Sequence, residues 1–198
     1  RVAGDLRAAG GVAFVSGVDI ADHDAVNRAV AAFEAEVGPT DVLVNNAGWD
    51  TPTQFLKTDE AFWKKVVGIN FFGPLHVSHA VGQGMAARKA GRIINIASDA
   101  GRVGSMGEVV YSGCKGATIA FGKALARELA RSNITVNNSY TYLGQNVTSA
   151  VTLDNGTDYV TYFQNATHGG DNNATLAYYG SVIWVTAFGN STVINFTG

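Results

Sequence analysis

Tyr111 stands four residues before Lys115 in "GEVVYSGCKGATIAFGKALARELA", residues 107–130, a stretch with the texture of a helix. That spacing puts the two side chains one turn apart on one face. An ammonium so placed favours the phenolate and draws a phenol down from its ordinary value of about 10. A phenol tuned in this way serves as an acid–base group. Such pairs arise by chance on many helices, so the surrounding residues must carry the argument. Ser98, closing the run "RIINIAS", brings a hydroxyl able to polarise a carbonyl or hold an alcohol. "NNAG", residues 45–48, closes another apolar run with a small turn over which a flat ligand can pass close to the backbone. Asn70 lies inside a helical pattern, where asparagine is mildly unfavourable. A local opening of the helix around an ordered water would give it a reason.

The elements that must hold these residues alternate in type. "GVAFVSGVDI" reads as a short strand, and "DHDAVNRAVAAFEAEVG" as an amphipathic helix with Val26, Val30, Phe33 and Val37 on its apolar side, ending at Gly38. "TDVLVNNAG" is a buried strand, and residues 58–91 read as one long helix opened by Thr58 and Glu60. "RIINIAS", the helix of Tyr111 and the strand "ITVNN" follow. Such alternation predicts an α/β fold: a partial, Rossmann-like parallel sheet with helices on both faces. Ser98 then sits at the carboxyl edge of the sheet, where open α/β folds bind their ligands.

Near residue 132 the texture changes. All 14 basic residues and 13 of the 16 acidic ones precede that point, +1 in all, and the remainder carries −3. The remainder has no helical period, is rich in Thr, Val, Tyr and Asn, and reads as four or five antiparallel strands. "SAVTLDNGTDYVTYF" carries a hairpin signal, with Asn155 and Gly156 at the turn, and "HGGDNN" and "FGN" mark further turns. The chain therefore divides into an α/β part, residues 1–137, and a β-rich antiparallel segment, residues 138–198. The segment is either foreign to the first part, as composition favours, or a replacement that patches the sheet. Its N-x-S/T triplets begin at Asn133, Asn137, Asn146, Asn155, Asn165, Asn173, Asn190 and Asn195, a pattern that an Asn- and Thr-rich composition generates by itself.

Taken in order, "NNAG", Asn70, Ser98, "YSGCK" and "ITVN", with 13 positions from Ser98 to Tyr111, resemble the short-chain dehydrogenase/reductase family over residues 1 to about 137. The resemblance implies that Tyr111 is the acid–base, Lys115 its modulator and a binder of the nicotinamide ribose, Ser98 the stabiliser of the substrate oxygen, and Asn70 the anchor of a water-linked proton relay. It also implies NAD or NADP as cofactor, with NAD favoured, lined by Asp19 and Ile20 at the adenine and by Asn45, Ala47 and Gly48. The chemistry implied is hydride exchange between a nicotinamide and a small-molecule alcohol or ketone. "NNAGWD", "IASDAGRVGSMGEVVYSGCKG" and "ELARSNITVN" are similar to the narrower group of 2-hydroxycyclohexanecarboxyl-CoA dehydrogenases, which would make the substrate an alicyclic 2-hydroxyacyl-CoA. Asp50 and Glu108 are then candidates near the substrate, and Trp49 is either a wall of the site or a packing residue. The family's glycine-rich T-G-x-x-x-G-x-G turn and first two strands have no counterpart in these 198 residues. Their absence would open two strand edges mid-sheet and impair turnover by removing the phosphate cradle. The family also implies self-association through the helices bearing Asn70 and Tyr111.

Composition bounds the alternatives. A net charge of −2 argues against nucleic acid or an anionic membrane as partner, and no apolar run is long enough to span a bilayer. "RVAGDLRAAG" is a charged amphipathic start rather than a signal peptide, in keeping with a cytoplasmic protein whose chain begins mid-sequence. Cys114, the single cysteine, reads as a buried thiol. His76 and His79 lie on a helix face with no third ligand at metal spacing, and "MAARKAGR" reads as a solvated helix end. The other function class is a non-enzymatic binding module, or a chimeric fusion, that displays the β-rich tail. Tyr178, Tyr179 and Trp184 would then form a recognition face, although the alternation of "SVIWVTAF" favours a β core.

Overall fold

The structure, a computed structural model, describes residues 2–142, 145–154, 157–164, 180–185 and 191–196, those beyond 139 as strand backbone. Helix α1 (Val2–Ala8) leads into β1 (Val12–Ser16) and α2 (His23–Glu36). Asp22 caps α2 by accepting from the backbone N–H of Ala25, 2.9 Å. Gly38 follows the helix at φ +111°, a conformation that suits only glycine. Strand β2 (Val42–Asn45) is buried on both faces, as a central parallel strand must be.

The single helix expected over residues 58–91 is three pieces. Helix α3 (Glu60–Val67) is capped by Asp59, which accepts from the N–H of Phe62 at 2.8 Å. Thr58 is not the cap; its hydroxyl donates to Phe55 O. One π-helical turn, Gly68–Phe72, then joins α3 to α4 (Gly73–Arg88). Pro74 explains this break. It has no N–H to give the Asn70 carbonyl four residues back, so the regular ladder cannot continue.

Strand β3 (Gly91–Ile96), the short α5 (Ala100–Val103) and α6 (Val109–Leu129) follow, then β4 (Ile134–Tyr142), β5 (Gln145–Asp154), β6 (Thr157–Gln164), β7 (Gly180–Val185) and β8 (Ser191–Phe196). Among the described residues eight strands form one sheet in the order β1-β8-β7-β2-β3-β4-β5-β6. The β2–β7, β2–β3 and β3–β4 pairs are parallel, and the others are antiparallel. This is an α/β, Rossmann-like sheet flanked by helices, with antiparallel C-terminal strands. The open edges expected between β1 and β2 are not open, because β8 and β7 lie there. Strand β4 runs straight across residue 137, the expected bound of the α/β part, and pairs onward with β5. The expected hairpin is present: β5 and β6 pair from Asp154 with Thr157 outward. Its turn residues Asn155 and Gly156, the turns at 168–173 and 188–190, Tyr178, Tyr179 and the Trp184 side chain lie outside the described residues. Of the glycosylation triplets, Asn133 is exposed, whereas Asn137 has its side-chain oxygen buried within β4. The side chains of the other six are outside the description.

The main core lies on one face of the sheet. Leu43, Ile93 and Val136, side by side in register on β2, β3 and β4, meet Val26 and Phe33 of α2, Val77, Val81 and Met85 of α4, and Ala126 of α6. Burying a side chain such as Phe33 contributes about 2–3 kcal/mol. On the opposite face Val42 and Val44 cluster with Ile94 and Ile96.

Candidate functional site

Strands β1, β7, β2, β3 and β4 share one direction, so the segments after β1, β2 and β3 meet at the carboxyl edge of the sheet. Those segments carry Asp19, Ala47–Gly48 and Ser98. Helix α6 adds Tyr111 and Lys115 from its first two turns. It is drawn close by glycines. A Cβ on Gly101 of α5 would strike the backbone of Lys115 and Gly116 at 2.5–2.6 Å, so only glycine lets α5, just after Ser98, rest on α6.

The structure brings Ser98, Tyr111 and Lys115 together. The Ser98 side chain neighbours Tyr111 and favours its ionised form, while Ser98 Oγ accepts from Ala100 N at 3.2 Å. Lys115 is buried, 4% exposed, and donates from Nζ to the Ile96 carbonyl at 2.8 Å. Its ammonium lies 5.6 Å from the Tyr111 ring centre. Burial lowers Lys115 to about 8. The phenol departs from the expectation set by spacing: Tyr111 stands above its ordinary value, not below it. Burial raises it, the neighbouring Ser98 side chain opposes that, and the carboxylates of Glu108 and Asp50 add to the rise. The physical reason is the burial of the phenol, and the ammonium placed to oppose it donates to Ile96 O instead.

Asn70 sits in the π turn, fully buried. Its side-chain amide donates to Trp49 O at 2.6 Å and Val66 O at 2.9 Å, and its Oδ1 accepts from Trp49 N at 3.2 Å. The carbonyl that Pro74 leaves free accepts from the Thr118 hydroxyl of α6 at 3.3 Å. Asn70 thus ties the loop after β2 to the helix on one side and to α6 on the other. Gly48 lies at the junction: a Cβ there would come within 3.1 Å of Asn70 Oδ1 and 3.6 Å of Lys115 Nζ. Pro74, four residues after Asn70, is the sequence signal that could have revealed this junction.

The remaining residues divide. Asp19 is exposed, its carboxylate turned back to accept from Ala21 N at 2.9 Å. Ile20 is buried beneath α4, against Gly73, so its side chain belongs to the core. The Asn45 side chain is also internal, bonded to Ser78 and Asn95. Trp49 packs on α3, 5.8 Å from the Phe62 ring and with Lys65 Nζ 3.7 Å over its own. Asp50 and Glu108 line a shallow surface depression with Phe55, Phe62 and Val110, and burial and Glu108 push the Asp50 carboxyl up. Cys114 is buried, and burial raises its thiol.

His23 of α2 meets His76 and His79 of α4, with ring centres 5.3 and 6.3 Å apart, a convergence that spacing did not reveal. No group of three or more metal-binding side chains occurs among the described residues. Arg88 of "MAARKAGR" donates to Thr40 O at 2.6 Å, so that helix end is tied to the fold. Among the described residues no helix is long and apolar enough to cross a membrane.

Comparison with known proteins agrees with this fold. The short chain dehydrogenase family model matches residues 1–151. Nodulation protein G of Azospirillum brasilense is 40% identical over 152 residues, covering 76% of this chain and 62% of the relative. Acetoacetyl-CoA reductase of Shinella zoogloeoides is 42% identical over 119 residues, covering 60% of this chain and 49% of the relative. A crystal structure of NAD+-bound xylitol dehydrogenase matches with a TM-score of 0.59 at 34% identity, covering 61% of this chain and 47% of that one. The chain thus spans roughly half to three fifths of the lengths of these proteins.

Proposed function

The chain belongs to the short-chain dehydrogenase family, and on that premise we propose that it interconverts a ketone and a secondary alcohol with a nicotinamide cofactor. The observation that carries this reading is the buried Lys115, its Nζ 5.6 Å from the Tyr111 ring centre, beside Ser98 at the carboxyl edge of a parallel sheet. When bound, a reduced nicotinamide supplies the hydride for the substrate carbonyl carbon. Ser98 holds the substrate oxygen, Tyr111 gives it the phenolic proton, and in the opposite direction Tyr111 takes that proton back. The raised phenol of Tyr111 suits the donor role. Lys115 holds the nicotinamide ribose, and Asn70 keeps the Gly48 turn in place beneath it.

The residues present fit the nicotinamide–ribose end in that Gly48 brings the backbone after β2 close to Asn70 Oδ1 and Lys115 Nζ, 3.1 and 3.6 Å from where its Cβ would lie. The pyrophosphate end is different. Among the described residues no glycine-rich turn opens a helix beside Asn45; β7 runs there and pairs with antiparallel β8. We therefore assign weak cofactor binding and slow turnover to this chain. NAD is the favoured cofactor, after the NAD+-bound xylitol dehydrogenase that the chain resembles. The substrate is an acyl-CoA ketone, as the name of the acetoacetyl-CoA reductase relatives suggests, with the alicyclic 2-hydroxyacyl-CoA as its finer form. The protein acts in the cytoplasm, and self-association through the helices of Asn70 and Tyr111 completes the proposal.

Titration with NADH, followed by its fluorescence, tests this reading. Binding that Lys115→Ala weakens about tenfold is expected, together with acetoacetyl-CoA reduction that Tyr111→Phe lowers about 10³-fold. No binding at about millimolar NADH by the folded chain would overturn it.

A further inference from the structure

On the core face of the sheet the apolar row Leu43–Ile93–Val136 is followed, two residues nearer the site, by a row of amides: Asn45, Asn95 and Asn138. All three are buried, at 4%, 0% and 2% exposure. They form a directed chain. Asn45 Nδ2 donates to Ser78 Oγ of α4 and to Asn95 Oδ1, each at 2.9 Å. Asn95 Nδ2 donates to Asn138 Oδ1 at 3.2 Å, and Asn138 Nδ2 donates to the Ile119 carbonyl of α6 at 3.2 Å. The chain crosses three strands and links α4 to α6.

A row of apolar side chains would fill the same space without the cost of burying amides. What the amides add is direction, since each bond holds only at one separation and one register. Their placement matters to the site. Asn45 precedes Gly48 by three residues, Asn95 precedes Ser98 by three, and Ile119 follows Lys115 by four. Helix α6 also touches Asn138 directly, because a Cβ on Gly122 would overlap the Asn138 carboxamide. We infer that Asn138 is a positioning residue: through Asn95 on one side and Ile119 and Gly122 on the other, it sets the stand-off and register of α6 against β3. It thereby aligns Tyr111 and Lys115 with Ser98 and the Ile96 carbonyl. This inference rests on the reading of those residues as the reactive site.

The test combines Asn138→Ser, Gly122→Ala and the double variant, each assayed for thermal stability, kcat and KM, and for the Tyr111 phenol by ultraviolet titration against a Tyr111→Phe blank. Either single change displaces α6 and moves Tyr111 away from Ser98, the neighbour that lowers the phenol. The expected result is a Tyr111 titration raised by about half a unit or more and a kcat about tenfold lower at nearly constant KM. Gly→Ala inside a helix ordinarily stabilises, so a loss in Gly122→Ala reports the overlap with Asn138. The double variant, with the smaller serine under the new methyl, should be no worse than either single change. An unchanged Tyr111 titration in both single variants, or strictly additive losses in the double, would overturn the inference. If even the unmodified chain lacks turnover, the oxidoreductase reading fails, while the tyrosine titration and the double-variant comparison still decide the role of Asn138.

Discussion

Lys115 shows how one residue's environment changes what its sequence position suggests. Four residues after Tyr111, it is placed by helical geometry to lower the phenol, yet its Nζ is buried and donates to Ile96 O. Burial disfavours its charge and brings it to about 8 from an ordinary 10.5. The folded value lies below the unfolded one, so the unfolded chain binds more protons between the two, and stability rises with pH through that window. The contribution is fully present above about 10.5 and lost as pH falls through about 8. Replacing the lysine should remove it. Urea unfolding from pH 7 to 10.5 is expected to show a stability gain of up to about 3 kcal/mol in the unmodified chain relative to Lys115→Met. Parallel pH profiles for the two would show that the ammonium is not buried as described. At this scale the types and spacing of Ser98, Tyr111 and Lys115 were legible because helical periodicity is local. The carbonyl partner of Lys115, 19 residues away, was not.

Among the elements, the two devices that build the site are a break and a close approach. Pro74 interrupts the ladder of α3 and α4, and the resulting π turn exposes both the side chain and the carbonyl of Asn70 to partners in other segments. The sequence marked Asn70 as needing an opening in its helix. It did not show that the opening would clamp the Trp49 backbone. The close approach of α5 to α6 depends on Gly101. Gly101→Ala must separate them or distort α5, and a loss of roughly 3 kcal/mol is expected in chemical unfolding, together with loss of the Ser98–Tyr111 alignment. Asp59→Ala is the contrasting control: it removes only the α3 cap and should cost about 1 kcal/mol without altering the Tyr111 titration. Equal losses from the two substitutions would contradict the packing role assigned to Gly101.

For the whole molecule, the main feature is where the last strands go. Among the described residues strand β1 has one strand neighbour, β8, and reaches the rest of the sheet through β8 and β7. Removing residues 180–198 should therefore leave β1 and β2 with unpaired edges. Size-exclusion chromatography of that truncated chain is expected to show self-association, and hydrogen exchange should show lost protection in β1 and on the β7-facing side of β2. A monomer with unchanged protection in both strands would mean that β7 and β8 do not occupy the gap.

Local pattern carried the α/β alternation, the strand pairs flanking the β5–β6 turn and the grouping of Ser98, Tyr111 and Lys115. Each rests on a period of two or 3.6 residues, or on a short ordered set of residues, and these are properties of the chain itself. Tertiary structure alone decided that β7 and β8 enter the sheet between β1 and β2, that Asn45, Asn95 and Asn138 join into one row, and that Lys115 meets Ile96 O. Those outcomes depend on which distant segments become neighbours. Strand order and buried hydrogen bonds arise when polar groups drawn from water must find partners across the fold, and no spacing along the chain records which partner they find.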